Sequence, residues 1–245
     1  TYFYIIMAIA LIASSGGSSD NAPTLSYSLD VGTGSNRVVV VTATEFASID
    51  LSSGTCKCGG VDMGAPVVVS SNVNNNRSYA WVATTSLTGT QTILITPPTN
   101  AYIDSIASSW SGVDQTTPVT NTNSYSNTFT GSPQTLSITV GTGGVAVDQM
   151  ARRIGGSSTT PDASQTRLYS EIASSWGGAI TGGSYKAGAT QMQWTHADLA
   201  SISQVIVALK EASSGFTITA ANGSYSISGQ AATLKATRVM PAAQG

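Results

Sequence analysis

Ionisable side chains are scarce in this chain, and their scarcity argues against several classes of function. Only 9% of the 245 residues are charged, ten Lys and Arg against twelve Asp and Glu, for a formal net charge of −2. An average soluble domain carries about a quarter charged residues. Binding nucleic acid through its phosphates requires clustered Lys and Arg, and here only Arg152 and Arg153 are adjacent. We therefore expect no nucleic-acid partner.

Histidine and cysteine are equally rare. The chain has one histidine, His196, and two cysteines, Cys56 and Cys58, in the stretch GTCKCGGVD. This set does not supply the four ligands of a zinc site, so we predict no metal and no cofactor. In an extended strand the two cysteines would share one face with their Cα atoms roughly 6–7 Å apart, near the limit for a disulfide. Two free thiols, one or both packed, are expected.

Long apolar runs are also missing. The most apolar segment, TYFYIIMAIALIA, ends at Ala13, whereas a membrane-spanning helix needs about 20 apolar residues. We therefore expect no membrane span. The length still fits the hydrophobic part of a secretory signal. Alternatively translation starts at Met7 and MAIALIAS is the first strand, apolar on both sides because both sides are covered.

What the chain has in abundance is Ser, Thr, Gly and Asn between short apolar stretches, which is typical of strands and turns. TLSYSLDV (24–31) alternates apolar and polar residues as a half-buried strand does, and RVVVVTATEF (37–46) reads as a central strand. NTNSYSNTFTGSPQ (121–134) reads as a linker, and GGAITGGSYKAGAT (177–190) as glycine-rich turns. About a dozen strands predict an all-β protein, a jelly-roll-like antiparallel β-sandwich.

Three segments are predicted along the chain. Residues 1–23 form an apolar N-terminal strand that docks on a neighbour, and residues 24–213 form the sandwich. Residues 214–245 begin a β-repeat tail, because AANG (220–223) returns as AAQG (242–245) at an offset of 22 residues. Periods of this length are typical of stacked repeats.

The stretch SGVDQTTP (111–118) is the main candidate for a binding site. A corner of the chain is the alternative, in which Gly112 adopts an unusual φ, Asp114 forms an Asx-turn and Pro118 ends the strand ladder. We favour the corner, since one carboxylate is too few for calcium. A glycan or calcium site here would use Trp110, Asp114, Gln115 and Thr116.

No catalytic residue is predicted, and we expect a protein that is not an enzyme. His196 has Asp198 nearby, but no G-x-S-x-G stretch occurs and two neighbours do not define a triad. Asp148 and Glu171 would resemble a glycosidase pair only if their carboxyl groups faced each other across a cleft. The tryptophans are expected in the core rather than on a sugar-binding face; they are Trp81, Trp110, Trp176 and Trp194.

Several stretches, in this order, resemble a β-sandwich family of bacteriophage virion proteins and of secreted or surface proteins of bacteria. SGVDQTTP is the most specific of them, and the similarity covers about residues 34–213. The tail segment GSYSISGQAATL resembles the G-S-Y-x-L-x-G-Q repeats of phage proteins, whereas TCKCGGVDMG departs from the family. The remaining stretches are GSNRVVVVTATEF, RSYAWVA, GTQTILIT, GGVAVDQMA, GGSYKAGATQMQWT and SISQVIVALKEAS.

The resemblance implies a module for assembly or adhesion without a catalytic motif. It leads us to expect a virion structural protein, a head-decoration, capsid-fibre or tail-fibre component. Its partners would be capsid or tail proteins and other copies of itself in a homo-oligomer, of which a trimer is one form. The alternative is a secreted carbohydrate-binding or adhesin module at the bacterial surface, which would bind a host-surface glycan through exposed aromatic side chains.

Overall fold

The computed structural model describes residues 3–6, 8–130, 132–153, 158–173, 178–196 and 200–216. Within these ranges the regular structure consists of antiparallel strands and one 3-10 turn, Leu51–Ser53. The predicted all-β antiparallel sandwich is therefore confirmed. The predicted repeats AANG and AAQG lie outside the described residues. Short strands β1 (Phe3–Ile6) and β19 (Ser213–Phe216) pair with each other.

The first unit spans residues 10–111 and contains two sheets. Its inner sheet has the order β2-β10-β4-β8-β7 and its outer sheet the order β3-β9-β5-β6. The strands are β2 (Ala10–Ala22), β3 (Leu25–Asp30), β4 (Val38–Glu45), β5 (Thr55–Cys58), β6 (Val61–Asp62), β7 (Val68–Val69), β8 (Arg77–Thr84), β9 (Thr90–Thr96) and β10 (Ala101–Ser111).

The second unit spans residues 119–209 and is built in the same way. Its inner sheet has the order β11-β18-β13-β16-β15 and its outer sheet the order β12-β17-β14. The strands are β11 (Val119–Thr130), β12 (Gln134–Ser137), β13 (Val145–Arg153), β14 (Thr159–Pro161), β15 (Thr166–Ala173), β16 (Ile180–Ala187), β17 (Gln191–His196) and β18 (Ala200–Leu209).

The two units repeat one topology. Replacing β2, β10, β4, β8 and β7 by β11, β18, β13, β16 and β15 converts one inner sheet into the other, and only β6 lacks a counterpart. Residues 38–45 of β4 and 145–152 of β13 both pair along eight residues on each side. A short sequence similarity accompanies the repeated topology, because TLSYSLDVGTG (24–34) and TLSITVGTG (135–143) precede the two central strands.

The units are stacked face to face through their inner sheets. Strand β4 lies over β13, β10 over β16, β8 over β18, β2 over β15 and β7 over β11. Exchanging the units maps each of these contacts onto another or onto itself, so the stack has approximate two-fold symmetry about the β4–β13 contact. The molecule is therefore four layers of sheet, an arrangement like that of an isologous dimer within one chain.

The run of valines in β4 explains why the inner sheets are buried on both faces. Val39 and Val41 face the outer sheet of the first unit, where they pack with β3, β5 and β9. Val38 and Val40 face the second unit and share a core with Val145. The outer core of the second unit is formed by residues of β12, β13, β17 and β18. A strand apolar on both faces is the pattern of a doubly covered sheet.

A row of buried polar side chains crosses the contact between the inner sheets, and we call it the polar seam. The Ser78 hydroxyl lies 2.8 Å from Thr44 Oγ1 and 2.7 Å from Ser203 Oγ. Ser203 donates to Asn76 Oδ1 at 2.6 Å, while Asn76 Nδ2 donates to the Ser201 carbonyl at 3.1 Å. These bonds join β8 of the first unit to β18 of the second, so the seam fixes how the units stack.

Two segments that sequence patterns assign to a linker and to turns are strands. Residues 119–130 form β11, an edge strand whose asparagines hydrogen-bond its own backbone. Residues 180–187 form β16. Its glycines leave space for large side chains that pack directly against the strand. A Cβ at Gly182 would come within 2.8 Å of the Trp194 ring, and one at Gly183 within 3.0 Å of Ile106.

Asn76→Ala is expected to lower the free energy of unfolding by about 1–3 kcal/mol, because the Ser201 carbonyl and the Ser203 hydroxyl lose a buried partner. The matched control is Asn72→Ala in the same turn, where the asparagine is exposed and the change should stay within about 0.5 kcal/mol. Urea unfolding followed by tryptophan fluorescence measures both. Equal effects of the two substitutions would contradict a stabilising seam.

Candidate functional site

The stretch SGVDQTTP joins the last strand of the first unit to the first strand of the second. Gly112 has φ +73°, and Asp114 Oδ1 accepts the N–H groups of Thr116 and Thr117, both at 2.9 Å. The other oxygen, Asp114 Oδ2, lies 2.8 Å from Lys210 Nζ. The lysine bond and the two N–H donors lower the pKa of Asp114 to about 2. The predicted corner geometry is confirmed.

The corner is also tied to the end of β18 by its backbone. The N–H of Asp114 donates to the Lys210 carbonyl at 2.9 Å, and the N–H of Ala212 donates to the Gly112 carbonyl at 2.8 Å. The Val113 N–H donates to the Asn36 carbonyl in the first unit at 3.1 Å. These backbone hydrogen bonds therefore connect the corner both to the first unit and to the end of β18 in the second unit.

Trp110 is not available to stack on a sugar. Its side chain is 1% exposed, its indole N–H donates to Ser108 Oγ at 2.8 Å, and its ring meets Tyr185 edge-on with the centroids 5.1 Å apart. Trp81 and Trp194 are buried to the same degree, which confirms the core placement predicted for them. Trp176 lies outside the described residues.

Asp148 is a buried acceptor in the core of the second unit. Its carboxylate accepts Ser184 Oγ at 2.5 Å, Trp194 Nε1 at 2.7 Å and Gln204 Nε2 at 2.9 Å. Burial raises its pKa to about 6, against the opposing effect of these three donors. The three donors around this fully buried carboxylate hold the Trp194 indole against β13 in the core of the second unit.

The remaining candidates are likewise engaged in structure. Glu171 accepts the N–H of Thr159 and, at 2.7 Å, its hydroxyl. His196 is 6% exposed and stands opposite Thr159 in the β14–β17 pair. Asp198 lies outside the described residues. In the described ranges, no three His, Cys, Asp or Glu side chains come together as a metal-binding group.

Cys56 and Cys58 are free, buried and on one face of β5, as the packed-thiol prediction requires. Cys56 Sγ lies 3.7 Å from Met63 Sδ. Burial raises the pKa of both thiols, so neither is activated as a nucleophile. As for membranes, none of the described residues belongs to a helix of sufficient length and hydrophobicity to cross one.

The lateral edges of the inner sheets are the remaining candidate for function, and one of them, β11, is largely blocked. Lys210 N donates to the Pro118 carbonyl, and Asn121 pairs with Ala208, so the peptide groups at 122, 124, 126 and 128 point away from β18. Three of these four outward N–H groups are bonded by the preceding asparagine side chains, at 2.9, 2.8 and 2.7 Å; the acceptors are Asn121, Asn123 and Asn127.

Two other edges are short or irregular. Strand β7 has only two residues, and β15 shifts register twice and carries the ion pair of Arg167 with Glu171, at 3.9 Å. Bulges, charges and short length are the usual devices that keep a sheet edge from pairing with another chain.

The fourth edge, β2, has none of these devices over its central part. It runs in unbroken register with β10 from Ala13 to Ser19, and Asp20 is its one charged residue. Within the part of the chain that the structure describes, no strand pairs along its outer side. The edge of β2 between Ala13 and Ser19 is therefore a row of peptide groups that a further strand can extend.

Comparison with known proteins adds no relative: no family model, no curated protein and no solved structure matches the chain. The similarity to the phage and bacterial β-sandwich family accordingly remains a prediction.

Asp114→Ala is expected to destabilise the protein more than Asp114→Asn. Both substitutions remove the ion pair with Lys210, but asparagine keeps an oxygen that accepts the N–H groups of Thr116 and Thr117. We expect about 1–2 kcal/mol for alanine from chemical unfolding. A melting temperature that calcium raises in the wild type, and not in Asp114→Asn, would instead indicate a metal site at the corner.

Buried carboxyl groups are expected to make the protein less stable as the pH rises. Burial raises the pKa of Asp104 from 3.8 to about 7, since only one of its oxygens is bonded, by Thr181 Oγ1 at 3.0 Å. Burial raises the pKa of Glu45 to about 7 as well. Between pH 4 and 7 the folded protein then holds protons that the unfolded chain releases, and stability falls by up to about 1.4 kcal/mol per pH unit for each group.

Asp104→Asn isolates this effect. At pH 8 the variant should be more stable than the wild type, because no charge is buried, and at pH 4 the two should be similar. Urea unfolding at pH 4, 6 and 8 measures it, with Asp62→Asn at the exposed end of β6 as the control. A constant difference across the three pH values would contradict a raised pKa at Asp104.

Proposed function

We propose that this protein is a non-enzymatic structural component of a bacteriophage virion, a head-decoration, capsid-fibre or tail-fibre protein. Its work is done by contacts between subunits and by the display of Ser-, Thr- and Asn-rich surface loops. Its partners are sister copies in a homo-oligomer and the capsid or tail proteins on which it sits.

The observation that carries this proposal is the edge of β2, along which none of the described strands pairs, beside three edges that are capped, shortened or broken. A monomer that works alone gains nothing from leaving one long edge open, because such an edge invites association. In a chain with so few charged residues, repulsion between copies does little to oppose that association. An open edge of this kind therefore suits a protein with a fixed place in an assembly.

The fate of the polar candidates supports the non-enzymatic part. Asp148, Glu171 and the Asp114–Lys210 pair are committed to hydrogen bonds that hold strands or units together. The alternative, a glycan-binding module, needs aromatic rings on the surface, and Trp81, Trp110 and Trp194 are at most 1% exposed. The structure offers no specific observation in favour of that alternative.

The decisive experiment locates the protein on particles. Antibodies against the recombinant chain should label density-gradient-purified virions from the lysate of a host that carries the gene, and mass spectrometry should find the chain at a copy number comparable with other structural proteins. Pre-absorbing the antibody with recombinant protein is the control. Purified particles without the chain would refute the virion role, and binding on a glycan array together with secretion would favour the adhesin.

A further inference from the structure

The hairpin of β5 and β6 carries the stretch CKCGGVDM (56–63), to which the proposed function gives no role. The two strands are antiparallel, and Cys58 pairs with Val61 across the turn. Gly59 and Gly60 form that turn with φ +55° and +82°, both in the left-handed region that a type I′ turn requires. A two-residue turn of this kind fixes the register of the hairpin.

This register places three sulfur-containing side chains on the inner face of the hairpin. Cys56 and Cys58 are two residues apart on β5 and share one face, with their Cα atoms roughly 6–7 Å apart. Met63 stands opposite Cys56, and its N–H donates to the Cys56 carbonyl at 2.9 Å. All three side chains are buried in the outer core of the first unit. The hairpin therefore gathers two thiols and a thioether in one place.

The one sulfur–sulfur distance in this group fits two ligands of a single metal ion. Cys56 Sγ lies 3.7 Å from Met63 Sδ. Metal–sulfur bonds of about 2.3 Å hold neighbouring sulfurs about 3.8–4.0 Å apart in tetrahedral or trigonal geometry. The unbranched Met63 side chain has three rotatable bonds and adapts to the remaining side of such a site. An S–H···S contact has the same length, so the experiment has to separate a metal site from plain core packing.

The donor set selects the kind of ion. Within the described ranges no further His, Cys, Asp or Glu joins the two thiols, so that part of the chain does not complete a four-coordinate zinc site. Thiolate and thioether sulfurs are the ligands that select Cu(I). The expectation of no metal, drawn from the ligand count of zinc, does not cover this set. Apolar side chains around it, among them Leu25, Ile93 and Ile95, keep water out.

The second unit lacks this arrangement. In its outer sheet β14 (Thr159–Pro161) takes the place of β5, and β6 has no counterpart. The hairpin and its sulfur atoms are therefore an addition to the first unit rather than part of the repeated topology. Val61 at the hairpin tip is 59% exposed, so an ion reaches the buried sulfurs from this end.

We propose that Cys56, Cys58 and Met63 form a binding site for one soft monovalent cation, Cu(I), beneath the tip of the β5–β6 hairpin. On binding, each thiol releases its proton to solvent and its sulfur bonds the ion, while the thioether binds through a lone pair, so no electron is transferred. The ion would fasten β6, a strand of only two residues, to β5. This site goes beyond the virion role and does not depend on it.

The direction of the thermal shift separates a native site from thiols that react only after unfolding. One equivalent of Cu(I), kept reduced under anaerobic conditions, should raise the melting temperature of the full-length protein, because an ion that prefers the folded state stabilises it. Native mass spectrometry should find one copper ion per chain. An unchanged or lowered melting temperature, or several ions bound equally well, would overturn the proposal.

Conservative substitutions test the ligands. Met63→Leu keeps the packed volume and removes the thioether, and it should weaken Cu(I) binding roughly tenfold or more in competition with the chelator bicinchoninate. Met192→Leu changes a buried methionine of the second unit and should keep the affinity within about twofold. Cys56→Ala/Cys58→Ala should abolish binding while circular dichroism shows a folded chain. If that variant does not fold, the methionine pair still decides, and equal affinities of its two variants would overturn the three-sulfur site.

The identity of the ion has its own test. X-ray absorption at the copper edge should show only sulfur neighbours, at about 2.3 Å. Zn(II) should bind the wild type roughly a hundredfold more weakly than Cu(I), because two thiols and a thioether leave its coordination incomplete. Nitrogen or oxygen neighbours of the copper, or zinc binding as tight as that of Cu(I), would overturn the assignment.

Discussion

The packing of β4 against β13 is the contact on which the rest of the structure depends. Val38 and Val40 from one unit meet Val145 and Val147 from the other in the central core, and the polar seam runs beside them. Because this contact covers the inner sheets on their second face, it turns two sandwiches into a four-layer stack. Without it, each inner sheet would expose an apolar face to water.

This stacking also explains the composition. A sheet covered on both faces has no place for Lys or Glu, so its polar positions are filled by small hydroxyl and amide side chains that bond one another, as Thr44, Ser78 and Ser203 do. The low charge is therefore largely a consequence of the fold. Low charge therefore supports assembly less strongly than the open edge of β2 does.

The two units have diverged inside one topology. By strand register Val41 corresponds to Asp148, and Trp81, which pairs with Val41, corresponds to Ser184, which pairs with Asp148. The second unit fills the lost volume with Trp194 from its outer sheet, and the indole N–H donates to Asp148. Asp148 looks catalytic in isolation. Its role here is to accept the indole N–H of a tryptophan that lies in the outer sheet of the second unit, whereas Trp81 lies in the inner sheet of the first.

Sequence patterns predict part of this arrangement, and physical reasons limit the rest. The alternation in β3 and the valine run of β4 identify strands because burial imposes those patterns. Strand β11 escapes detection, since an edge strand rich in Asn and Ser has the composition of a loop. Strand β16 is not recognised from the sequence because its glycines look like turn residues. They are explained by the packing of the Trp194 and Ile106 side chains against the strand, and that packing does not show in the local sequence. The SGVDQTTP corner is recognisable, because Asx-turns and glycine φ are local properties.

The two units differ clearly at the edges of their inner sheets, where the equivalent strands are β2 and β11. The β4–β13 stack covers the facing sides of both inner sheets and leaves equivalent edge strands at β2 and β11. Asparagine side chains accept outward N–H groups along β11, whereas no described strand pairs with the outer side of β2 between Ala13 and Ser19, so the two equivalent edges differ in how readily they extend. Under the proposed function, the edge of β2 is the place where a further strand would extend the inner sheet of the first unit.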